Sequence, residues 1–244
     1  MRVEEHIERL DAESAAFLAL ARGADLERPV PGCEGWVCRD AIAHVGQLLR
    51  WSAELVATGR LELASWEMLG IAAPGDDALV DWLADARTNA LDTFRTSDLS
   101  APVWGWAGDH RGWFWPRRML FEVAVHKTDL QRGVGEEPWL DDDLAVEGID
   151  EHLSVLPWTV VTDPGVAALQ GAGETIGLEA TEGPRWRLLF LPGGFIWDRT
   201  TADTDVTVSG PVFDLYMHTQ GRPNGCTISG DVDLHARTLG SLSF

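Results

Sequence analysis

Val30-Pro31-Gly32-Cys33-Glu34-Gly35-Trp36-Val37-Cys38-Arg39-Asp40-Ala41-Ile42-Ala43-His44-Val45-Gly46 changes character half-way along. Its first half carries Pro31, Gly32 and Gly35, the composition of a loop that ends one helix before another starts. From about Val37 an apolar stripe sets in at helical spacing: Val37, Ala41, His44, Leu48, Trp51, Leu55. That spacing predicts an amphipathic helix running to Thr58. Asp40 falls in its first turn, where the helix dipole favours an acid. A histidine in the middle of the inward stripe needs a reason.

Working outward, residues 3–22 place Val3, Ile7, Leu10, Phe17 and Ala21 near one face, which predicts a helix broken by Arg28-Pro29-Val30-Pro31-Gly32. A third helix from Asp77 to Thr96 turns Leu79, Trp82, Leu83, Ala86, Ala90 and Phe94 inward. Residues 97–112 read as a loop rich in Gly, Trp and Pro. Pro116 suits the first turn of a fourth helix, running to Arg132 and stopped by Gly133. Four amphipathic helices make a bundle. After about residue 138 the pattern shifts. Asp141 to Leu156 reads as a linking helix ended by Pro157, and short alternating runs follow at Thr175–Ala180, Arg185–Leu191, Phe195–Thr200 and Asp205–Ser209. They are spaced as a strand meander. Pro211–Gln220 reads as a helix, Cys226–Ser229 as a strand and Val232–Leu242 as a closing helix. The expected division is a bundle over 1–135 and a small α+β domain over 136–244, with the linking helix at 141–156.

Composition narrows the function. The chain has 244 residues, 45% hydrophobic and 24% charged, with 19 basic residues against 39 acidic and a net charge of −20. So acidic a chain lacks the basic face that nucleic acid requires. No apolar run approaches the ~20 residues that span a bilayer, and the charged N-terminus is no signal peptide. The expectation is a cytoplasmic protein, monomer or homodimer, without nucleic acid or membrane partners. Cys33, Cys38 and Cys226 suit a reducing compartment, and their spacing disfavours a structural zinc ribbon.

Chemistry is sought where polar residues interrupt apolar stripes. His44 does so on the second helix. On the fourth, Glu122 and His126 are four apart and share a face one turn from Met119. A carboxylate on a core-facing stripe is costly unless paired or metal-bound. Two imidazoles and a carboxylate on facing bundle helices can form a three-ligand metal site with open positions, and the same set suits non-haem iron. The residues alone equally allow hydrogen-bonded core histidines.

Residues 30–46 resemble the pattern V-P-x-C-x-G-W-x-x-R-D-x-x-A-H of the mycothiol-dependent maleylpyruvate isomerase family, one of the DinB-like metal-binding bundles. Arg117-Arg118-Met119-Leu120-Phe121-Glu122-Val123-Ala124-Val125-His126-Lys127-Thr128-Asp129 is similar to its second signature, R-R-M-x-x-E-x-x-x-H-x-x-D. Val208-Ser209-Gly210, Asp214-Leu215, Gly221-Arg222 and Ile228-Ser229-Gly230-Asp231 look like its C-terminal domain. The resemblance implies an N-terminal DinB-like four-helix bundle followed by a small α+β domain, with the active site between them. It makes His44, Glu122 and His126 the ligands of a divalent metal, usually zinc. Mycothiol becomes the thiol cosubstrate, and Arg222 an arginine that approaches the site from the second domain.

Two departures stand out. The family usually has Ser or Thr at Val37, where it caps the helix, and its C-terminal helix is more aliphatic than one carrying Tyr216 and His218. Other candidates keep two readings each. His110 is a pocket acid–base or a solvated loop residue. Trp104, Trp106, Trp113 and Trp115 line a substrate pocket or bridge the helices. Asp129 orients a ligand imidazole, or caps the helix or forms a salt bridge. Cys33 is a small buried residue rather than a nucleophile.

The function implied is a metal-dependent, mycothiol-dependent enzyme in which a metal-bound thiolate attacks a small electrophile, as an S-transferase or a maleylpyruvate-type cis–trans isomerase. The acidic surface favours the transferase, with Arg222 and Arg118 as sources of local positive charge. Two other classes remain open: a thiol-independent metalloenzyme of the non-haem iron or metal-hydroxide type, and a non-catalytic metal- or ligand-binding module.

Overall fold

The computed structural model describes residues 1–108, 110–161, 165–166 and 169–238. The chain divides into two compact units, the first Met1–Trp139 and the second beginning at Leu140.

The first unit is a bundle of α1 (Val3–Ala21), α2 (Cys38–Thr58), α3 (Asp76–Thr96) and α4 (Phe114–Val134). Its core is the set of stripes that the spacing predicts: Leu10 and Phe17 on α1, Ala41, Leu48 and Leu55 on α2, Leu79, Leu83 and Phe94 on α3 are buried. Gly46 lets α2 and α3 approach closely, because a Cβ there would run into the Trp82 ring. On the other side, Lys127 of α4 reaches Glu13 of α1 (Nζ to Oε2 2.7 Å) and lies 4.5 Å from the Trp139 ring centroid.

The segment before α2 is a clasped loop. Pro29 and Val37 form an antiparallel bridge, Val30 donates to the Trp36 carbonyl and Cys38 to that of Arg28, each at 2.9 Å. Gly32 and Gly35 take positive φ (90° and 79°), which turns the chain back on itself and sets Trp36 at the foot of α2. Val37 supplies no cap oxygen, yet the helix start is held: Asp40 Oδ2 accepts the Val37 N–H at 2.9 Å, the reach-back half of a capping box.

The end of α4 corrects the sequence reading. Gly133 is inside the helix, where a Cβ would sit 2.7 Å from Cys38 Sγ, so it serves close packing against α2. Gly135, at φ 86°, ends the helix.

In the second unit, α5 (Asp142–Val155) ends two residues before Pro157, within a residue of the expected end, and the chain continues as a 3-10 helix over Leu156–Val161. The strands β1 (Thr175–Ala180), β2 (Arg185–Leu191), β3 (Gly194–Asp198), β4 (Val206–Gly210) and β5 (Thr227–Gly230) form one sheet in the order β3-β2-β1-β4-β5. It is not a simple meander, since β4 lies parallel to β1. A reciprocal clip pins that pairing: Thr175 N–H and Oγ1 donate to Asp205 Oδ2 (2.7 and 2.8 Å), while Asp205 N–H donates to Thr175 Oγ1 (3.0 Å). Alternation fixes which residues point inward but not which strands are neighbours. Ile176, Leu178, Trp186, Leu188, Phe190, Val206 and Val208 are buried together with Leu215 and Met217 of α6 (Val212–Thr219). Tyr216 lies over Gly148, where any Cβ would collide with its ring, and so fills the seam between α5 and α6. α7 covers Val232–Arg237, with Thr238 as its C-cap; positions 239–242 of the closing helix expected to Leu242 lie outside the described residues. No helix among the described residues is long and apolar enough to cross a membrane.

Candidate metal centre

His44 sits two turns into α2, and Glu122 and His126 lie one turn apart on α4. The structure brings all three together, each offering a ligand atom within 4.8 Å of the others. Glu122 Oε2 is 3.6 Å from His126 Nε2 and 4.0 Å from His44 Nε2. The two imidazoles meet edge to face with ring centroids 4.7 Å apart.

His126 and Glu122 are each oriented by a further polar contact. His126 Nδ1 lies 3.0 Å from Oδ2 of Asp129, whose side chain is fully buried and which also has Arg132 Nη1 at 3.7 Å. A buried carboxylate accepts, so Nδ1 carries a proton, and in the neutral ring the Nε2 lone pair faces the cluster. Arg118 Nη2 pairs with Glu122 Oε1, which leaves Oε2 for the imidazoles. Burial raises the Glu122 carboxyl, but Arg118, His126 and His44 together overcome it and hold the group well below the usual carboxylate range. For His126 burial favours the neutral ring, and the contacts to Asp129 and Glu122 outweigh it and push the imidazole up. Arg118, expected as an anchor for a substrate carboxylate, is thus engaged in holding Glu122.

Two nitrogens and one oxygen, with the outer atoms of His126 and Glu122 held by Asp129 and Arg118, form a donor set suited to a divalent ion of the zinc or iron type. The residues present fit such a group.

Two aromatic rings flank the cluster, and the sequence reading passed over both. Trp36 stacks on His126 (centroids 5.6 Å, planes 15° apart) and meets His44 edge-on at 5.2 Å. Trp66, from the loop after α2, meets His44 at 5.6 Å. The G-W pair at 35–36 carried the signal for Trp36; no local pattern marks Trp66. Of the other tryptophans, Trp104, Trp106 and Trp115 cluster with Trp51. Trp51, Trp104, Trp106 and Trp115 pack at centroid separations of 5.0–6.2 Å, with Trp115 donating to the Trp104 carbonyl at 2.8 Å. Trp113 stands apart from that set, at the surface.

The remaining candidates lie elsewhere. His110 is exposed, with Nδ1 3.4 Å from the Gly105 nitrogen. Cys33 is half-buried in the clasped loop. Burial pushes the Cys38 thiol up, and burial with nearby Asp214 pushes Cys226 up to about 12. Arg222 follows α6 in the second unit, is buried, and donates from Nη1 to the Gln220 carbonyl at 2.8 Å. His218 of α6 faces His235 of α7, Nε2 to Nε2 at 2.9 Å.

Fold and cluster together define a class: a four-helix bundle with two histidines and a carboxylate on facing helices, followed by an α+β unit. Within it, residues 7–131 match the family described as the mycothiol maleylpyruvate isomerase N-terminal domain, and the chain belongs to that family, which is named for an enzyme. Two solved structures share the fold. One is a crystal structure of a histidine-to-alanine mutant of the mycothiol-dependent maleylpyruvate isomerase, at TM-score 0.61 and 15% identity over 94% of this chain and 93% of that one. The other is a crystal structure of the mycothiol-dependent maleylpyruvate isomerase, at TM-score 0.59 and 16% identity with the same coverage. No curated protein matches the chain.

Proposed function

We propose that His44, Glu122 and His126 hold one divalent metal, and that the chain uses mycothiol as a nucleophile against small electrophiles. The observation that carries this reading is the outer pairing of the cluster, with Asp129 on His126 Nδ1 and Arg118 on Glu122 Oε1. It points Nε2 and Oε2 at one locus. A divalent ion held by these three residues would supply positive charge that favours the thiolate form of a thiol at neutral pH.

What the chain itself does is fix that locus. Asp129 holds the tautomer, Arg118 holds the carboxylate, and Trp36 covers one side of both imidazoles. In a transferase the sulfur forms a bond to the electrophilic carbon while the leaving group departs with the electron pair. In an isomerase the sulfur adds to a conjugated double bond, the resulting single bond rotates, and sulfur leaves again. We favour the transferase, because a net charge of −20 opposes a dianionic substrate. Arg222 is assigned to hold the bound substrate or thiol.

The test is turnover of an electrophile with and without mycothiol, alongside metal content. Glu122→Gln should lose both metal and thiol-dependent turnover. Arg222→Ala should keep the metal and lose at least about tenfold in kcat/KM, as removal of a charge-assisted hydrogen bond does; Arg222→Lys should recover only part. Thiol-independent turnover would point instead to metal-hydroxide chemistry, and wild-type kinetics for Arg222→Ala would remove it from the mechanism.

A further inference from the structure

Trp36 and Trp66 enter from opposite ends of α2, one from the clasped loop before it and one from the loop after it, and both reach His44. Both are half-buried, so each ring keeps part of its surface open. The loop carrying Trp66 also exposes large apolar side chains, Leu61, Leu63 and Met68 at 63%, 42% and 70%. The cations beside the cluster, Arg118 and Arg132, are paired with Glu122 and Asp129. The first unit therefore offers an incoming molecule indole rings beside the ligand atoms and apolar surface on the loop that carries Trp66, with the neighbouring positive charge already engaged.

We infer that Trp36 and Trp66 select a flat, uncharged, electron-poor aromatic electrophile, and that Trp66 is a specificity-determining residue of this site. An indole face is electron-rich and stacks well on a ring depleted by nitro or carbonyl groups. A small aliphatic electrophile gains little from it, and a dicarboxylate gains nothing. With an aryl chloride the thiolate sulfur bonds to the ring carbon, chloride leaves with the electron pair of the broken C–Cl bond, and the thiol proton passes to solvent.

The inference rests on the thiol reading above, so the experiment has an arm that does not. Equilibrium dialysis of 1,3-dinitrobenzene, which has no leaving halide, reports binding alone. Trp66→Ala should weaken that binding at least about fivefold, the loss of one good stacking contact. Trp66→Phe should restore most of it, and Trp158→Ala, at an exposed tryptophan of the second unit, should change nothing. With mycothiol as the thiol, Trp66→Ala should raise KM for 1-chloro-2,4-dinitrobenzene by a similar factor with little change in kcat. It should leave iodoacetamide turnover within about twofold and the metal content at wild type. Equal losses for both electrophiles, dinitrobenzene binding indifferent to Trp66, or maleylpyruvate turned over more efficiently than the aryl chloride would each overturn the inference. Trp66-dependent binding without any mycothiol turnover would uphold it and defeat the thiol reading instead.

Discussion

Two pairs of imidazoles meet in this protein, and their surroundings are opposite. His44 and His126 in the first unit have ring centroids 4.7 Å apart, and His218 and His235 in the second 5.0 Å. The first pair shares its space with Glu122 and has Asp129 behind it, so the His126 imidazole is pushed up. The second pair has Nε2 against Nε2 at 2.9 Å, one ring donating and the other accepting. Burial pushes His218 down, His235 adds to this, and a hydrogen bond to Asn224 opposes both; burial alone lowers His235. The lesson is about charge and lone pairs. The second pair satisfies itself and presents no shared acceptor to a cation. The first has its outer nitrogen and outer oxygen occupied, which leaves inner lone pairs converging beside a negative charge.

The largest expected effect separates the pairs by metal content. The purified protein should carry about one divalent ion per chain, and His44→Ala, Glu122→Ala and His126→Ala should each drop this below about a tenth, since loss of one of three ligands leaves a two-ligand site. His218→Ala and His235→Ala should keep it. Elemental analysis decides; metal retained in all three cluster variants would erase the distinction. Chelation should leave helical circular dichroism in place and lower Tm only modestly, because the bundle core is apolar and independent of the ion.

A finer effect is expected at Asp129, which touches no ligand atom of the cluster itself. Asp129→Asn keeps the size and the hydrogen bond but removes the charge that fixes the Nδ1 proton. Metal affinity should fall about 10–100-fold with fold and Tm little changed. Competition with a chromophoric chelator measures this, and unchanged affinity would leave Asp129 as packing alone.

The helices and the ligand set were legible because both follow local rules. Spacing of 3.6 residues marks the stripes, and a polar residue within a stripe marks a site: His44, Glu122 and His126 are all visible in that way. What escaped has a non-local cause. Gly133 and Gly135 look alike in sequence, and only the Cys38 sulfur across the seam shows which one ends α4. The parallel β1–β4 pairing depends on a contact between residues 175 and 205. Trp66 reaches His44 through a loop with no periodicity to read. Asp129 was visible in the second signature, yet its 3.0 Å approach to His126 Nδ1 and its pairing with Arg132 appear only in the folded helix.

The smallest effect tests the self-satisfied pair through pH. His218 and His235 both have folded pKa values below the ordinary 6.5. Between the folded value and 6.5 the unfolded chain binds more protons than the folded one, so stability rises with pH there. The contribution is therefore complete above about pH 6.5 and is lost as the pH falls through that window. Solvent reaches part of His218, so screening holds the effect below ~1 kcal/mol, or no more than ~2–4 °C for a chain of this size. Melting the metal-free protein at pH 7.5 and 5.5 gives a difference that includes the cluster histidines, and repeating it with His218→Gln isolates the pair. A glutamine amide can still hydrogen-bond to His235 but adds no proton, so the Tm difference between the two pH values should shrink in the variant. An unchanged difference would mean that this pair titrates alike in the folded and unfolded states, and the contrast with the cluster would then rest on metal content alone.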